Sequence, residues 1–257
     1  MWELSADLNL LTSLALLLSG IGAGFVNTLA GGGGLFTLAV LLLMGIPADL
    51  ANGTNRVSVA IQSLEGVRGF HKHKVLDVSA IRPLLLPTLS GSLIGTIAAS
   101  WMPVALLKPM LLTAMIGMAL ILLFKPSVMT PSSDIPPLKI NQSPKGWLAL
   151  FAAGLYGGFV QGGVGFLLLL GLVGVLRYPL APANALKLVC TAIFGTVALT
   201  IFAARGQVMW LPGLIITAGT LIGVRASVGF AVNAKADTLR IILLAAVIVA
   251  CIGAYFK

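Results

Sequence analysis

Long apolar runs, interrupted by short polar or glycine-rich stretches, organise this chain. A helix that spans a bilayer needs about 20 mostly apolar residues. By that measure the pattern predicts helices over residues 8–30, 35–46, 48–66, 81–101 and 104–124. Residues 125–145 change character: Pro126, Pro131, Pro136, Pro137 and Pro144 share the stretch with Asp134, Lys139 and Lys145, and no apolar run is sustained. This stretch reads as an extramembrane linker. The series then resumes over 146–163, 166–176, 182–204, 211–232 and 238–256. The predicted fold is an all-α integral membrane protein with eight to ten crossings. Its parts are a first transmembrane repeat at 1–124, a linker at 125–145 and a second repeat at 146–257.

The two sets of five segments resemble one another. Gly24-Phe25-Val26-Asn27 matches Gly158-Phe159-Val160-Gln161, and each leads into a glycine cluster, Gly31 to Gly34 in one case and Gly162-Gly163-Val164-Gly165 in the other. Ala51-Asn52-Gly53-Thr54-Asn55 corresponds to Ala183-Asn184-Ala185-Leu186-Lys187, and Gly91-Ser92-Leu93-Ile94-Gly95 to Gly219-Thr220-Leu221-Ile222-Gly223. Four matches in one order point to an internal duplication.

Composition agrees with the membrane reading. Hydrophobic residues make up 58% of the chain and charged residues 9%, where a soluble chain carries roughly a quarter charged. This excludes a water-soluble enzyme, a disordered protein and a coiled coil. Cys190 and Cys251 lie in separate apolar runs and offer neither a disulfide framework nor a metal motif. The net charge of +9, from sixteen Lys and Arg against seven Asp and Glu, is dispersed between apolar runs rather than interleaved with aromatics, so no nucleic-acid surface is expected. Glu3 and Asp7 before the first run argue against a cleaved secretory signal.

Charge also sets orientation. With every segment crossing, Arg68, Lys72, Lys74, Arg82, Arg177, Lys235 and Arg240 fall on the side of the linker, opposite Glu3, Asp7, Arg205 and Lys257. The cation excess marks the linker side as cytoplasmic and both termini as external. An odd number of crossings per repeat inverts the second repeat, the arrangement of many secondary transporters. The segments 35–46 and 166–176 are short, about 18 Å or less at 1.5 Å per residue, so they either cross or re-enter. In the latter case eight crossings and parallel repeats are expected.

Glycine weakens a helix by about 1 kcal/mol per residue relative to alanine, and irregular backbone at membrane depth survives only against protein or a cavity. The two clusters therefore read either as tight helix packing or as helix breaks. In the second reading, half-helices beginning near Leu35 and Phe166 point free N–H groups at an anion. The candidate backbone donors are Gly32, Gly33, Gly34 and Leu35, and Gly163, Gly165 and Phe166. Polar residues of the third segments line up at about 100° per residue. One stripe holds Asn52, Asn55, Arg56, Gln62 and Ser63, the other Asn184, Lys187 and Thr191. A charge within the bilayer defaults to lining a cavity or pairing, so Arg56 either binds the anion or snorkels, and Lys187 is its counterpart. Arg225 faces the substrate path or pairs with Glu65, while Lys108 snorkels. Asp49 and Glu65 are the candidates for a coupling proton, or else a cap and a loop partner. His71 and His73 lie among lysines and lack further ligands for a metal. No Walker, HExxH or GxSxG motif occurs, so neither an enzyme nor a cofactor is expected.

Asn27, Gly31 to Gly34 with Leu35, then Gly45-Ile46-Pro47 and Ala51-Asn52-Gly53-Thr54-Asn55 resemble the first-repeat signature of the sulfite exporter TauE/SafE family. The second repeat departs from it, with Leu186-Lys187 in place of Thr54-Asn55 and Val164 within the glycine cluster. The resemblance implies a multi-pass transporter of sulfite, organosulfonates or related anions in a bacterial inner membrane. The expected function is alternating access around a central anion site, with a proton or sodium ion as coupling partner. That site draws on Asn27, Asn52, Asn55, Arg56, Gln161, Asn184, Lys187 and Arg225 besides the glycine amides. A passive anion channel and a non-transporting assembly protein are the alternatives, and a homo-oligomer is compatible with the small-residue faces.

Overall fold

The computed structural model describes residues 9–124 and 136–233, with helices only. The expectations resting on Glu3, Asp7, Asp134, Lys235, Arg240, Cys251, Lys257 and the segment 238–256 lie outside the described residues. The first half contains α1 (Leu10–Ala30), α2 (Gly33–Leu43), α3 (Ala48–Lys72), α4 (Ile81–Trp101) and α5 (Val104–Phe124). The second contains α6 (Pro144–Phe159), α7 (Val164–Leu169), α8 (Leu180–Ala204) and α9 (Trp210–Asn233). α7 continues through Leu170–Val175 in the wider π-helical form.

Among the described residues four stretches, Leu10–Leu29, Val78–Trp101, Leu180–Ala204 and Trp210–Val228, are long and apolar enough to cross a membrane. α3 has the length, about 37 Å for its 25 residues, but not the apolarity. Its Asn52, Asn55, Arg56, Gln62 and Ser63 are almost fully buried because α8 and α9 pack along it. Polar residues there face protein rather than lipid. α3 also runs one and a half turns past the predicted end, to Lys72.

The halves exchange partners. α1 packs against α9, and its counterpart α6 against α4; α3 packs on both α8 and α9. Glycines permit the close crossings. A Cβ on Gly20 would strike the Ile216 carbonyl, and one on Gly154 the carbonyl of Thr88. Gly24 abuts Thr220 as Gly158 abuts Ser92, Gly219 abuts Leu17 as Gly91 abuts Phe151, and Gly223 abuts Ile21 as Gly95 abuts Leu155. Each of these glycine contacts on one side is repeated by the corresponding residues on the other. In both crossings the residue numbers rise together, so α1 runs parallel to α9 and α6 to α4. By contrast Gly53 meets Phe202 near the end of α8, and Gly66 meets Leu188 near its start. The central pair α3 and α8 is antiparallel.

Two ends follow. At one, the Leu138 amide donates to the Leu176 carbonyl, and a cavity of about 360 Å³ is lined by Asp77, Ser79, Lys139, Asn141 and Tyr178. Burial first and the Asp77 charge second raise the Tyr178 phenol above its usual range. The α3–α4 turn, the end of the linker and the α7–α8 turn thus share this basic end. At the opposite end Arg205 and Gln207 both donate to the Ser100 carbonyl, and the Arg205 guanidinium lies 4.1 Å from the Trp101 ring centre. Ile46 packs in the same apolar cluster as Leu107 and Phe202, next to Met102 and Val208. The α2–α3 turn therefore sits at this end with the start of α1.

Candidate anion site at two opposed helix breaks

α1 ends because Gly31 takes a left-handed φ of 85° and donates its amide to the Asn27 carbonyl. The chain then folds back, since a Cβ on Gly33 would strike the Ala23 carbonyl and lie 2.7 Å from the Asn27 Cβ. In the second half Gln161 at φ 66° and Gly163 at φ 80° make the equivalent reversal. A left-handed backbone costs a non-glycine residue roughly 1–2 kcal/mol, so Gln161 is held there by its surroundings. The two breaks meet: Gly31 and Gly165 approach so closely that a Cβ on either would overlap the other's backbone. α2 and α7 leave this junction with their N-termini together.

The breaks place free amides in the first turn of each half-helix, but fewer than the sequence suggests. The Leu35 and Phe166 amides are spent on the Gly32 and Gly163 carbonyls, and the Val164 amide on Gln161. Gly32 is buried, yet a Cβ built on it would meet no atom within 4 Å. Space opens at the break.

Two of the three expected cations, Arg56 and Lys187, lie here, fully buried. Arg56 does not snorkel. Its Nη1 donates to Gln161 Oε1 at 3.0 Å and to the Gly157 carbonyl at 3.3 Å. Its Nη2 donates to the Gly158 carbonyl and to Asn52 Oδ1, and its guanidinium stacks 4.5 Å from the Phe202 ring centre. Lys187 Nζ donates to the carbonyls of Asn27 at 2.7 Å and Thr28 at 3.3 Å, and to Asn184 Oδ1 at 2.8 Å. Each cation therefore caps the carbonyl end of a broken helix from the other half, where the helix dipole is negative. Arg56 does this for α6 and Lys187 for α1.

The amides of the third segments tie the breaks to their surroundings. Asn52 donates to the Phe159 carbonyl at 2.8 Å. Asn55 donates to the Gly34 carbonyl at 3.3 Å and accepts from Thr37 Oγ1. Beside the breaks, the buried donors Arg56 Nε, Gln161 Nε2 and Asn184 Nδ2 keep no partner among the described residues, and neither does the Ser63 hydroxyl about two turns further along α3.

Arg225 stands apart, 70% exposed and paired at 2.7 Å with Glu65, which also approaches Arg68 at 3.9 Å. Of the two alternatives for Arg225, the structure has the Glu65 pair. Asp49, in the first turn of α3, keeps a buried carboxylate oxygen without a partner. Lys108 is exposed.

Sequence reasoning overlooked Thr37, Tyr156 and Phe202. Thr37 was detectable as a lone hydroxyl inside a short apolar run. The Tyr156 hydroxyl donates to the Gly162 carbonyl at 2.9 Å and shores up the second break, but neither it nor Phe202 carries a sequence signal, because only the fold brings it there.

A "Probable membrane transporter protein" of Haemophilus influenzae is 28% identical over 204 residues, covering 79% of each chain. "Probable membrane transporter protein YfcA" of Escherichia coli K12 is 26% identical over 203 residues, 79% of this chain and 74% of that one. "Probable membrane transporter protein ORF9" of a Sinorhizobium species is 25% identical over 223 residues, 86% and 84% of the two chains. Residues 16–254, which include both breaks and both cations, match Sulfite exporter TauE/SafE, and the chain belongs to that family.

Proposed function

We propose that this chain is a secondary transporter that moves a small sulfur-containing oxyanion, such as sulfite or a sulfonate, across the bacterial inner membrane. The anion binds where the two breaks meet. The observation that carries the reading is the pair of opposed half-helix N-termini beside buried Lys187 and Arg56, with unspent donors on Arg56, Gln161 and Asn184. A buried polar group without a partner costs about 1–3 kcal/mol. Three such donors around one junction suit a ligand that only accepts. An oxyanion offers several acceptor oxygens and the matching charge, whereas a cation would meet the wrong sign.

In this reading Lys187 and Arg56 lock the carbonyl ends of α1 and α6 and supply positive potential. Direct contacts come from the Gly33, Gly34 and Gly165 amides, Arg56 Nε, Gln161 and Asn184. Asn27, Asn52 and Asn55 hold the breaks in shape. Alternating access is a rocking of the two halves about the Gly31–Gly165 contact. Asp49, with its buried unpartnered oxygen, is a stronger coupling candidate than Glu65, which is engaged by two arginines.

The reading carries ten hydrophobic segments in two inverted repeats. Reciprocal glycine contacts and antiparallel α3 and α8 support it. α2 is 11 residues long, about 16 Å, or half the hydrocarbon core. Because α2 folds back from the end of α1, the pair returns to the end where α1 began. Re-entry therefore does not make the repeats parallel, as simple counting of crossings suggests.

A thermal-shift screen of purified protein tests the assignment. A specific ligand raises stability by mass action, by about 2.7 kcal/mol at a hundredfold excess over Kd. Sulfite, thiosulfate or a sulfonate should shift the melting temperature where chloride and nitrate at equal ionic strength do not. A uniform response to all salts contradicts a specific anion site.

A further inference from the structure

A cavity of about 530 Å³ lies at the basic end between α3 and α9, and none of its lining residues belongs to the two breaks. Glu65, Arg68 and Lys72 line it from α3, and Val224, Arg225 and Val228 from α9. Three cations face one carboxylate, which is already shared between Arg225 and Arg68. The excess is two positive charges. The arginine side chains are 84% and 70% exposed, so this charge is offered outward rather than consumed inside the protein.

The surface leading to the cavity is apolar. Leu211, Leu214 and Ile222 are each at least half exposed and fall on one stripe of α9 that ends at Arg225. Leu64, next to Glu65 in α3, is 52% exposed. A free anion has use for the cations alone. A molecule with an anionic head and long apolar chains uses both cations and stripe, and basic pockets between helices at a cytoplasmic face suit acidic headgroups.

We propose that the cytoplasmic ends of α3 and α9 bind the phosphate headgroup of an acidic phospholipid, with its chains along Leu214 and Ile222. Bound there, the headgroup bridges Arg68 and Lys72 to Arg225 and pins the end of α3, the helix that carries Asn52, Asn55 and Arg56.

The test uses the full chain in neutral detergent, with melting temperature and native mass spectrometry as readouts. Phosphatidylglycerol, phosphatidylcholine of the same chains and inorganic phosphate are added separately. Phosphatidylglycerol should raise the melting temperature and remain bound where the other two do not. Arg225→Gln or Arg68→Gln should each weaken its retention by about fivefold, the value of one cation near a charged lipid surface. Lys72→Gln, which spares the Glu65 ion pairs, should do the same, and Lys145→Gln, exposed on the same face outside the cavity, should not. Equal effects of phosphatidylcholine overturn the headgroup site, and an equal shift by inorganic phosphate reassigns it to free anions. Undiminished retention in Lys72→Gln and in the folded arginine variants also overturns it.

Discussion

Lys187 and Arg56 are each buried against backbone oxygens at the end of a helix from the other half, and this double role makes them informative residues to change. Lys187→Met keeps an unbranched chain, one atom shorter, and removes the charge, leaving the Asn27, Thr28 and Asn184 oxygens short of a donor. It should cost about 1–3 kcal/mol, read by thermal melting, and abolish anion transport in protein that still elutes as a folded species. Arg56→Lys is not conservative, because a lysine ammonium cannot span four acceptors from a planar fork. The variant should lose at least about 1 kcal/mol and most of its transport rate in proteoliposomes. Gly32 behaves oppositely: its φ of −93° suits any residue and its Cβ position is open. Gly32→Val should fold with a near-native melting temperature yet fail to transport, because the added methyls occupy the space at the break.

The helix crossings depend on which glycine of an element faces the partner. In α1, Gly24 lies against the Thr220 backbone while Gly22, two residues earlier, is exposed and meets nothing within 4 Å. Gly24→Ala should destabilise by about 1–3 kcal/mol through overpacking. Gly22→Ala should be neutral or stabilising by up to about 1 kcal/mol, and paired melting curves separate the two. Apolar run length gave the bounds of α4 and the start of α5 directly, because turn signals stand at these points, with Asp77 and Ser79 ahead of α4 and Pro103 between the two helices. α3 was harder to delimit, since its polar face is satisfied by α8 and α9 and not by water. The glycine clusters were readable as breaks from their place before short apolar runs. The Gly31–Gly165 contact and the capping of α1 by Lys187 were not, because both join residues more than 130 positions apart through packing that periodicity does not encode.

At the scale of the whole molecule, the reciprocal contacts of α1 with α9 and of α6 with α4 build one bundle from two exchanged halves. Neither half has a complete core without the other, so cutting the linker should leave the halves associated through purification. In the orientation expected from the charge distribution, the basic end faces the cytoplasm and the other end the outside. A cysteine at Ser79, exposed at the basic end, should react with an impermeant maleimide only after the cytoplasmic side is opened. One at Ala204, exposed near the opposite end, should react from outside in intact cells. The central claim is that an oxyanion is carried through the junction of the two breaks under the positive potential of Lys187. Uptake of labelled sulfite and of a labelled sulfonate into proteoliposomes, compared between the native chain and Lys187→Met reconstituted at equal folded amounts, tests it most directly. The account predicts saturable uptake of at least one of the two by the native chain and background flux in the variant; full-rate uptake by folded Lys187→Met would contradict it.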